Sequence, residues 1–160
     1  MERFGMKNWI LTDVSEVNAP TVDFLKISTP EIYLGYAFSR GDFGNKEGLP
    51  PERTVFYELP LKQSKNKVYL AGKWFVDKDH TRLMSENGKV VLKYDAKNVN
   101  IVSTSPSSNI TVLVDGKKIN TVHISTEDLY TVVSGADYGE HTVTLDVKGT
   151  GFKLYTFTFG

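Results

Sequence analysis

The side chains best suited to catalysis in this sequence are three histidines, His80, His123 and His141. Each stands alone, because no two fall at a metal-ligand spacing such as HxH or HExxH. The chain contains no cysteine, which excludes thiolate metal sites, cysteine nucleophiles and CxxC redox chemistry. The GxSxG turn that presents a hydrolase serine is also absent from the sequence. We therefore predict no catalytic residues and a protein that is not an enzyme.

Three acidic residues gather in one polar stretch, Asp77, Asp79 and Glu86. Hard cations such as Ca²⁺ prefer clustered oxygen ligands, but the EF-hand pattern is absent because no glycine stands at the required turn. We expect a solvated acidic loop and no cofactor, with a structural calcium ion as the alternative. The sequence defines no metal site.

Aromatic residues are the most informative group, since several lie on or beside predicted strands: Tyr33, Tyr36, Trp74, Tyr94, Tyr130 and Tyr155. Flat rings stack on sugar faces in β-sandwich modules, although the same rings also fill sandwich cores. Trp74 follows Gly72, where the backbone can approach another element closely. We predict a ligand-binding set of Trp74, Tyr36, Asp77 and Asp79, with the carboxylates accepting sugar hydroxyls. The alternative is that Trp74 plugs the end of the sandwich.

Charge and hydropathy narrow the partner classes. Lys plus Arg and Asp plus Glu both number 19, so the formal net charge is zero, whereas nucleic-acid binders carry a basic excess. No apolar run approaches the ~20 residues that span a bilayer, and the first residues lack the apolar centre of a signal peptide. We expect neither a nucleic-acid partner nor direct membrane insertion, and the residues alone leave the compartment open.

Turn signals and alternation in the second half of the chain indicate an antiparallel all-β protein. Asn87-Gly88 and Asp115-Gly116 are strong two-residue hairpin signals. Period-two alternation directs apolar residues to one face of the intervening segments, namely Val90, Leu92 and Tyr94, then Val143, Leu145 and Val147, then Tyr155, Phe157 and Phe159. Short strands at such intervals predict a jelly-roll β-sandwich.

The first half of the sequence is less regular. Segments 31–38 and 67–76 are predicted strands, joined by a loop-rich connection that contains Pro50, Pro51 and Pro60. Residues 1–28 show apolar groups without a clean period. We predict that residues 1–28 form an N-terminal arm or linker packed against the sandwich, and that residues 29–160 form the β-sandwich domain.

Six segments, in order, resemble the C-terminal domain of DipZ-type thioredoxin-like proteins. They are Thr29–Tyr36, the Leu70–Trp74 strand with its glycine two before a tryptophan, Ala96–Val102, the Val114-Asp115-Gly116 hairpin, Leu129–Val133 and the aromatic terminus Tyr155–Gly160. The resemblance implies a jelly roll similar to galactose-binding and other carbohydrate-binding modules. In that family the domain is joined to a thioredoxin-like domain on the extracytoplasmic side of a membrane. This chain has no CxxC motif, so redox activity does not carry over.

These observations favour a non-catalytic accessory binding module, similar to a carbohydrate-binding domain appended to thioredoxin-like redox proteins. The alternative is a protein–protein docking or structural domain with no glycan ligand. Glycan binding predicts exposed aromatic rings in a groove with amides and carboxylates alongside, whereas docking predicts a flat apolar patch. A third class, a small hydrolase, requires a histidine and a carboxylate that converge in a cleft. The expected partners are a carbohydrate or a thioredoxin-like domain.

Overall fold

Eleven β-strands and no helix form residues 29–160, which are the residues that the computed structural model describes. The arm predicted for residues 1–28 lies outside this range. The strands are β1 (Ile32–Tyr33), β2 (Thr54–Tyr57), β3 (Val68–Val76), β4 (Thr81–Leu83), β5 (Asn87–Asp95), β6 (Asn98–Thr104), β7 (Ser108–Val114), β8 (Lys117–Ile124), β9 (Asp128–Ser134), β10 (Glu140–Lys148) and β11 (Lys153–Phe159). Within this range, therefore, no helix is long and apolar enough to cross a membrane.

The strands pair antiparallel into two sheets that share β3, which confirms the predicted all-β sandwich. The first sheet has the order β8-β7-β10-β5-β3, and the second has β3-β4-β11-β6-β9, with β2 beside β3 and β1 beside β11. Residues Val68–Ala71 of β3 pair with β5, and Gly72–Phe75 pair with β2. Gly72 has a φ of 105° at this change of sheet, a conformation that glycine adopts without steric cost.

The core lies between the sheets and follows the alternation read from the sequence. In β10 the inward residues Val143, Leu145 and Val147 are fully buried, and each lies opposite an inward residue of β7. Alternate residues of β5 are also buried, and β5 pairs with β10 along the edge opposite β7. Leu92, for example, lies opposite Val143. Burial of one apolar face on each sheet is what makes two pleated layers pack together.

Strand β11 corrects one part of the predicted face. Its pairing with β6 shifts register between Leu154 and Thr156, so Tyr155 is an extra residue of a β-bulge. Leu154 and Phe157 are therefore the buried residues, Phe159 packs against the edge of the core, and Tyr155 is not part of it. The prediction that Tyr155 faces the interior was wrong because a bulge adds one residue to the period of two.

The two predicted hairpin turns have different outcomes. Asp115-Gly116 connects β7 and β8 with positive φ at both residues, 52° and 83°, as a type I′ turn requires. Asn87-Gly88 instead lies inside β5. A side chain at Gly88 would lie 2.5 Å from Leu83 Cδ1 and 3.1 Å from Trp74 Cζ2, so core packing and not a turn requires this glycine.

Candidate functional site

Trp74 does not provide the ligand platform that the sequence suggested. Its side chain is fully buried, its Nε1 donates a hydrogen bond to the Ala71 carbonyl at 2.9 Å, and its ring packs edge-on against Phe152. An indole with no accessible face cannot stack on a sugar. The interpretation that holds is the alternative one, in which Trp74 fills the core where β3 changes sheets.

The other three predicted residues do lie together, on the surface. The Tyr36 N–H donates to the Asp77 carbonyl at 3.1 Å, and the Tyr36 hydroxyl donates to Glu52 Oε2 at 2.8 Å. The Asp79 and Asp77 carboxylates lie 2.7 and 3.7 Å from the two ring nitrogens of the buried His80. The polar groups of this surface are therefore bonded to the protein itself. Two clefts lie elsewhere on the surface, and neither is lined by any of the four residues predicted to bind ligand.

The expected acidic loop does not assemble a metal site. Asp77 and Asp79 lie at the β3–β4 turn, whereas Glu86 follows β4, where its carbonyl accepts the Gly149 N–H. Within residues 29–160 no three His, Asp or Glu side chains are arranged to hold a metal ion.

The first cleft, which we call the β2 cleft, opens beside the edge strand β2 and encloses about 430 Å³. One wall comes from the loop that precedes β2, and the other from β2 and the proline-containing segment after it. Its lining residues are Gly44, Lys46, Glu47, Phe56, Glu58, Leu59, Pro60, Lys62 and Tyr69. A volume of this size lies within the ~300–1,000 Å³ range of small-ligand sites.

Asn45 holds the two walls of the β2 cleft in place. Its side-chain amide donates to the carbonyls of Glu58 and Leu70 at 3.1 and 3.0 Å, and its Oδ1 accepts the Leu70 N–H at 2.7 Å. The floor is formed where Gly44 lies against the Tyr69 ring, with no room for a Cβ. These buried hydrogen bonds make the cleft a fixed feature of the fold.

The functional groups in the β2 cleft are an aromatic ring and charged side chains. Phe56 points outward from β2 and is 72% exposed. Glu47 Oε1 is buried and has no hydrogen-bond partner within residues 29–160. Burial, and then the nearby Glu47 carboxylate, raise the pKa of Tyr57 well above its ordinary value of 10.0. The charged side chains that line the cleft beside the Phe56 ring suit it to a ligand that carries hydroxyl groups.

These groups were missed at the sequence level, although a signal exists. Thr54-Val55-Phe56-Tyr57 is a run of β-branched and aromatic residues, which is typical of strands, and the structure directs Val55 and Tyr57 inward and Phe56 outward. The neighbouring prolines obscured this short strand, because they are typical of loops.

The second cleft, which we call the end cleft, encloses about 460 Å³ between the edge strands β8 and β9. Its walls are mainly apolar, with polar groups at the rim. The lining residues are Tyr94, Lys97, Val114, Ile119, Asn120, Val132, Val133, Ser134, Gly135, Ala136, Asp137 and His141. The Asn120 side-chain amide reaches the Val132 carbonyl at 3.5 Å and links the two strands.

A histidine and a carboxylate converge at the end cleft. Asp115 Oδ2 accepts a hydrogen bond from His141 Nδ1 at 2.7 Å, and Asp115 Oδ1 accepts the Thr142 N–H at 2.9 Å. The neutral imidazole therefore carries its proton on Nδ1 and presents Nε2 as an acceptor. A hydrolase would also need a nucleophile at ~2.6–3.2 Å from that nitrogen. Nε2 makes no hydrogen bond to any hydroxyl of the described chain.

The Asp115–His141 pair makes a pH-dependent contribution to stability. The hydrogen bond from His141, then the Thr142 N–H, lower the pKa of Asp115 below its ordinary value of 3.8. A lowered carboxyl pKa stabilises the fold above the ordinary value, and this stabilisation is lost as pH falls through the folded value. Because Asp115 is exposed, we expect the contribution to be under about 1 kcal/mol.

We expect the Asp115→Asn variant to melt slightly below the unmodified protein at pH 6, and the difference between them to shrink as the pH falls below 3.8. Asparagine tolerates the positive φ and can still accept the Thr142 N–H, so the difference reports the carboxylate charge. Melting curves recorded between pH 7 and pH 2 check this expectation. A difference that stays constant over that range would contradict it.

Comparison with known proteins supports the fold. No curated protein matches the chain. Among solved structures, a family two carbohydrate esterase from Cellvibrio japonicus is similar at 12% identity and a TM-score of 0.53, over 67% of this chain and 32% of the esterase. A family two carbohydrate esterase from Clostridium thermocellum in complex with cellohexaose is similar at 17% identity and a TM-score of 0.48, over 51% of this chain. This chain spans about a quarter to a third of the length of these enzymes.

A family model described as the thioredoxin-like C-terminal domain matches residues 29–160. The matched range includes every strand of both sheets. The chain belongs to the thioredoxin-like C-terminal domain family.

Proposed function

We propose that this domain is a non-catalytic accessory module that binds carbohydrate in the β2 cleft. The observation that carries the proposal is the exposed Phe56 ring at the rim of a cleft lined by charged side chains. This is the combination of ring and carboxylates that glycan binding requires. Of the earlier candidates, Trp74 is fully buried, and the Tyr36–Asp79 surface lines neither cleft.

The chemistry of the β2 cleft matches a polyhydroxylated ring. The apolar face of a sugar would lie against Phe56, in the stacked arrangement that aromatic rings favour. Its hydroxyls would donate to Glu47 and Glu58 and accept from Lys46 and Lys62, and charge-assisted hydrogen bonds of this kind are the stronger ones.

The proposal also concerns where the domain is located in the cell and what it is joined to. The resemblance to domains joined to thioredoxin-like redox proteins supports an extracytoplasmic location. It also supports a jelly roll of the carbohydrate-binding type, in which the sandwich carries the ligand site and a separate domain carries the chemistry. Fold likeness alone does not give function, so the site geometry carries the proposal.

We expect Phe56→Ala to weaken binding of an oligosaccharide about tenfold, because loss of one stacked ring removes roughly 0.5–1.5 kcal/mol beyond its buried area. Isothermal titration of cellohexaose, xylohexaose, maltohexaose and chitohexaose first identifies a bound sugar, and the variant is then titrated with it. Phe38→Ala is the matched control, since Phe38 is 56% exposed but lies outside the β2 cleft. Equal loss of affinity in both variants would contradict the proposed site.

A second candidate function is docking of a thioredoxin-like domain. The observation that favours it is a run of exposed apolar residues, in which Leu59 is 36% and Leu61 103% exposed beside Phe56. Exposed apolar patches often mark protein contacts, and the family is described by its association with thioredoxin-like proteins.

Leu61→Ser separates the two functions, because Leu61 does not line the β2 cleft. The carbohydrate proposal expects unchanged oligosaccharide affinity in this variant. Docking expects weaker association with an added thioredoxin-like domain, measured by titration of the purified domains. No association in the unmodified protein would remove the second candidate.

A further inference from the structure

The end cleft contains two polar atoms that are not used by the fold. Nε2 of His141 makes no hydrogen bond within residues 29–160, and the Tyr94 hydroxyl also makes none there. The two rings are adjacent, with centroids 6.1 Å apart. Groups of this kind in a mainly apolar cleft orient a ligand, whereas the apolar walls supply its binding energy.

The hydrogen-bonding roles of these two atoms are complementary. Asp115 holds the proton of His141 on Nδ1, so the neutral ring accepts a hydrogen bond at Nε2. Burial raises the pKa of Tyr94 to about 12, so its hydroxyl keeps its proton and can donate. A hydroxyl group is both a donor and an acceptor, and can therefore satisfy both atoms.

The remaining walls of the end cleft are suited to an apolar body. Val114 and Val132 lie on facing strands of the two sheets, and Ile119, at the mouth, is 46% exposed. The exposed Ile119 side chain extends the apolar surface of the walls to the mouth of the cleft. A free sugar, with hydroxyls on every side, would leave several of them unpaired against these walls.

We propose that the end cleft is a second binding site, separate from the β2 cleft, that takes a small aromatic alcohol with its ring between Val114, Ile119 and Val132 and its hydroxyl between His141 and Tyr94. The site does not depend on carbohydrate binding elsewhere. No bond is made or broken, because the described residues place no nucleophile on Nε2.

The test is titration of p-cresol into ¹⁵N-labelled protein, followed by the backbone amide signals and the histidine ring nitrogens. We expect p-cresol to shift the amide signals of Ile119, Val132 and Gly135 and the Nε2 signal of His141, while the signals of His123 stay unchanged. Toluene, which lacks the hydroxyl and so loses both of its hydrogen bonds, is expected to bind about tenfold more weakly. Glucose is expected to cause no shift at these positions.

Variants distinguish binding at the end cleft from nonspecific apolar association with the protein surface. Ile119→Ser and His141→Phe should each weaken p-cresol about tenfold, with the amide spectrum confirming that the variants are folded. His123→Gln is the matched control and should bind as the unmodified protein, since His123 is exposed on β8 and bonded to Asn109. Absence of shifts at the cleft, equal affinity for toluene, or glucose binding there would each overturn the proposal.

Discussion

Replacing Phe157 with alanine is expected to lower the free energy of unfolding by about 3–5 kcal/mol. The ring is fully buried at the centre of β11, between Ile32 of β1 and Ile101 of β6. Strands on both sides restrict how far the structure can collapse into the cavity, which is the condition under which large-to-small changes cost most. Urea denaturation followed by tryptophan fluorescence measures the loss.

The matched control for Phe157 is Phe56→Ala, because it deletes the same atoms from a ring that is mostly exposed. We expect it to change the free energy of unfolding by no more than about 0.5 kcal/mol. If Phe157→Ala lowered the melting temperature by only a degree or two, the register of β11 on β6 would be wrong.

Trp74→Ala is expected to destabilise the domain to a similar extent, by about 3–5 kcal/mol. The change removes the largest buried side chain of the domain and leaves the Ala71 carbonyl without its indole donor. Trp74→Phe should cost less, since it retains most of the volume and loses mainly that hydrogen bond. Thermal unfolding of both variants, followed by circular dichroism, gives the comparison.

A destabilised Trp74→Ala protein is the opposite of what we would expect if Trp74 were exposed and stacked on a sugar. A platform residue replaced by alanine would leave the melting temperature unchanged and abolish binding. A Trp74→Ala protein with the same melting temperature as the unmodified protein would therefore contradict the core position of the indole.

The sequence predicted the fold best where local pattern and tertiary burial agree. The Asp115-Gly116 turn leads directly into β8, and the alternation of Val143, Leu145 and Val147 runs along β10, because a turn signal and clean alternation mark these strands in the sequence. β4 was missed because it has only three residues. The predicted strand over residues 31–38 is only Ile32–Tyr33, since the chain then turns so that Gly35 packs directly on the Lys78 carbonyl.

The candidate sites could be predicted only in part, for a physical reason. Asp77 and Asp79 are close in sequence and share the β3–β4 turn, whereas Tyr36 is 41 residues from Asp77 and is brought to it by a tertiary backbone hydrogen bond that the sequence does not reveal. Whether a ring on a strand faces solvent depends on which sheet covers it, and that depends on the change of sheet at Gly72. Trp74 lies in the second part of β3, after Gly72, and points inward, whereas Phe56, on the neighbouring strand β2, points outward. A single sequence does not specify this pairing.

A glycan array with the purified domain tests the carbohydrate proposal most directly. The proposal predicts that the unmodified protein binds a defined subset of glycans, and that Phe56→Ala loses this binding while Phe38→Ala retains it. Circular dichroism and the melting temperature establish that all three proteins are folded. An array with no binding by the folded, unmodified protein, or binding that Phe56→Ala leaves unchanged, would contradict a carbohydrate site in the β2 cleft.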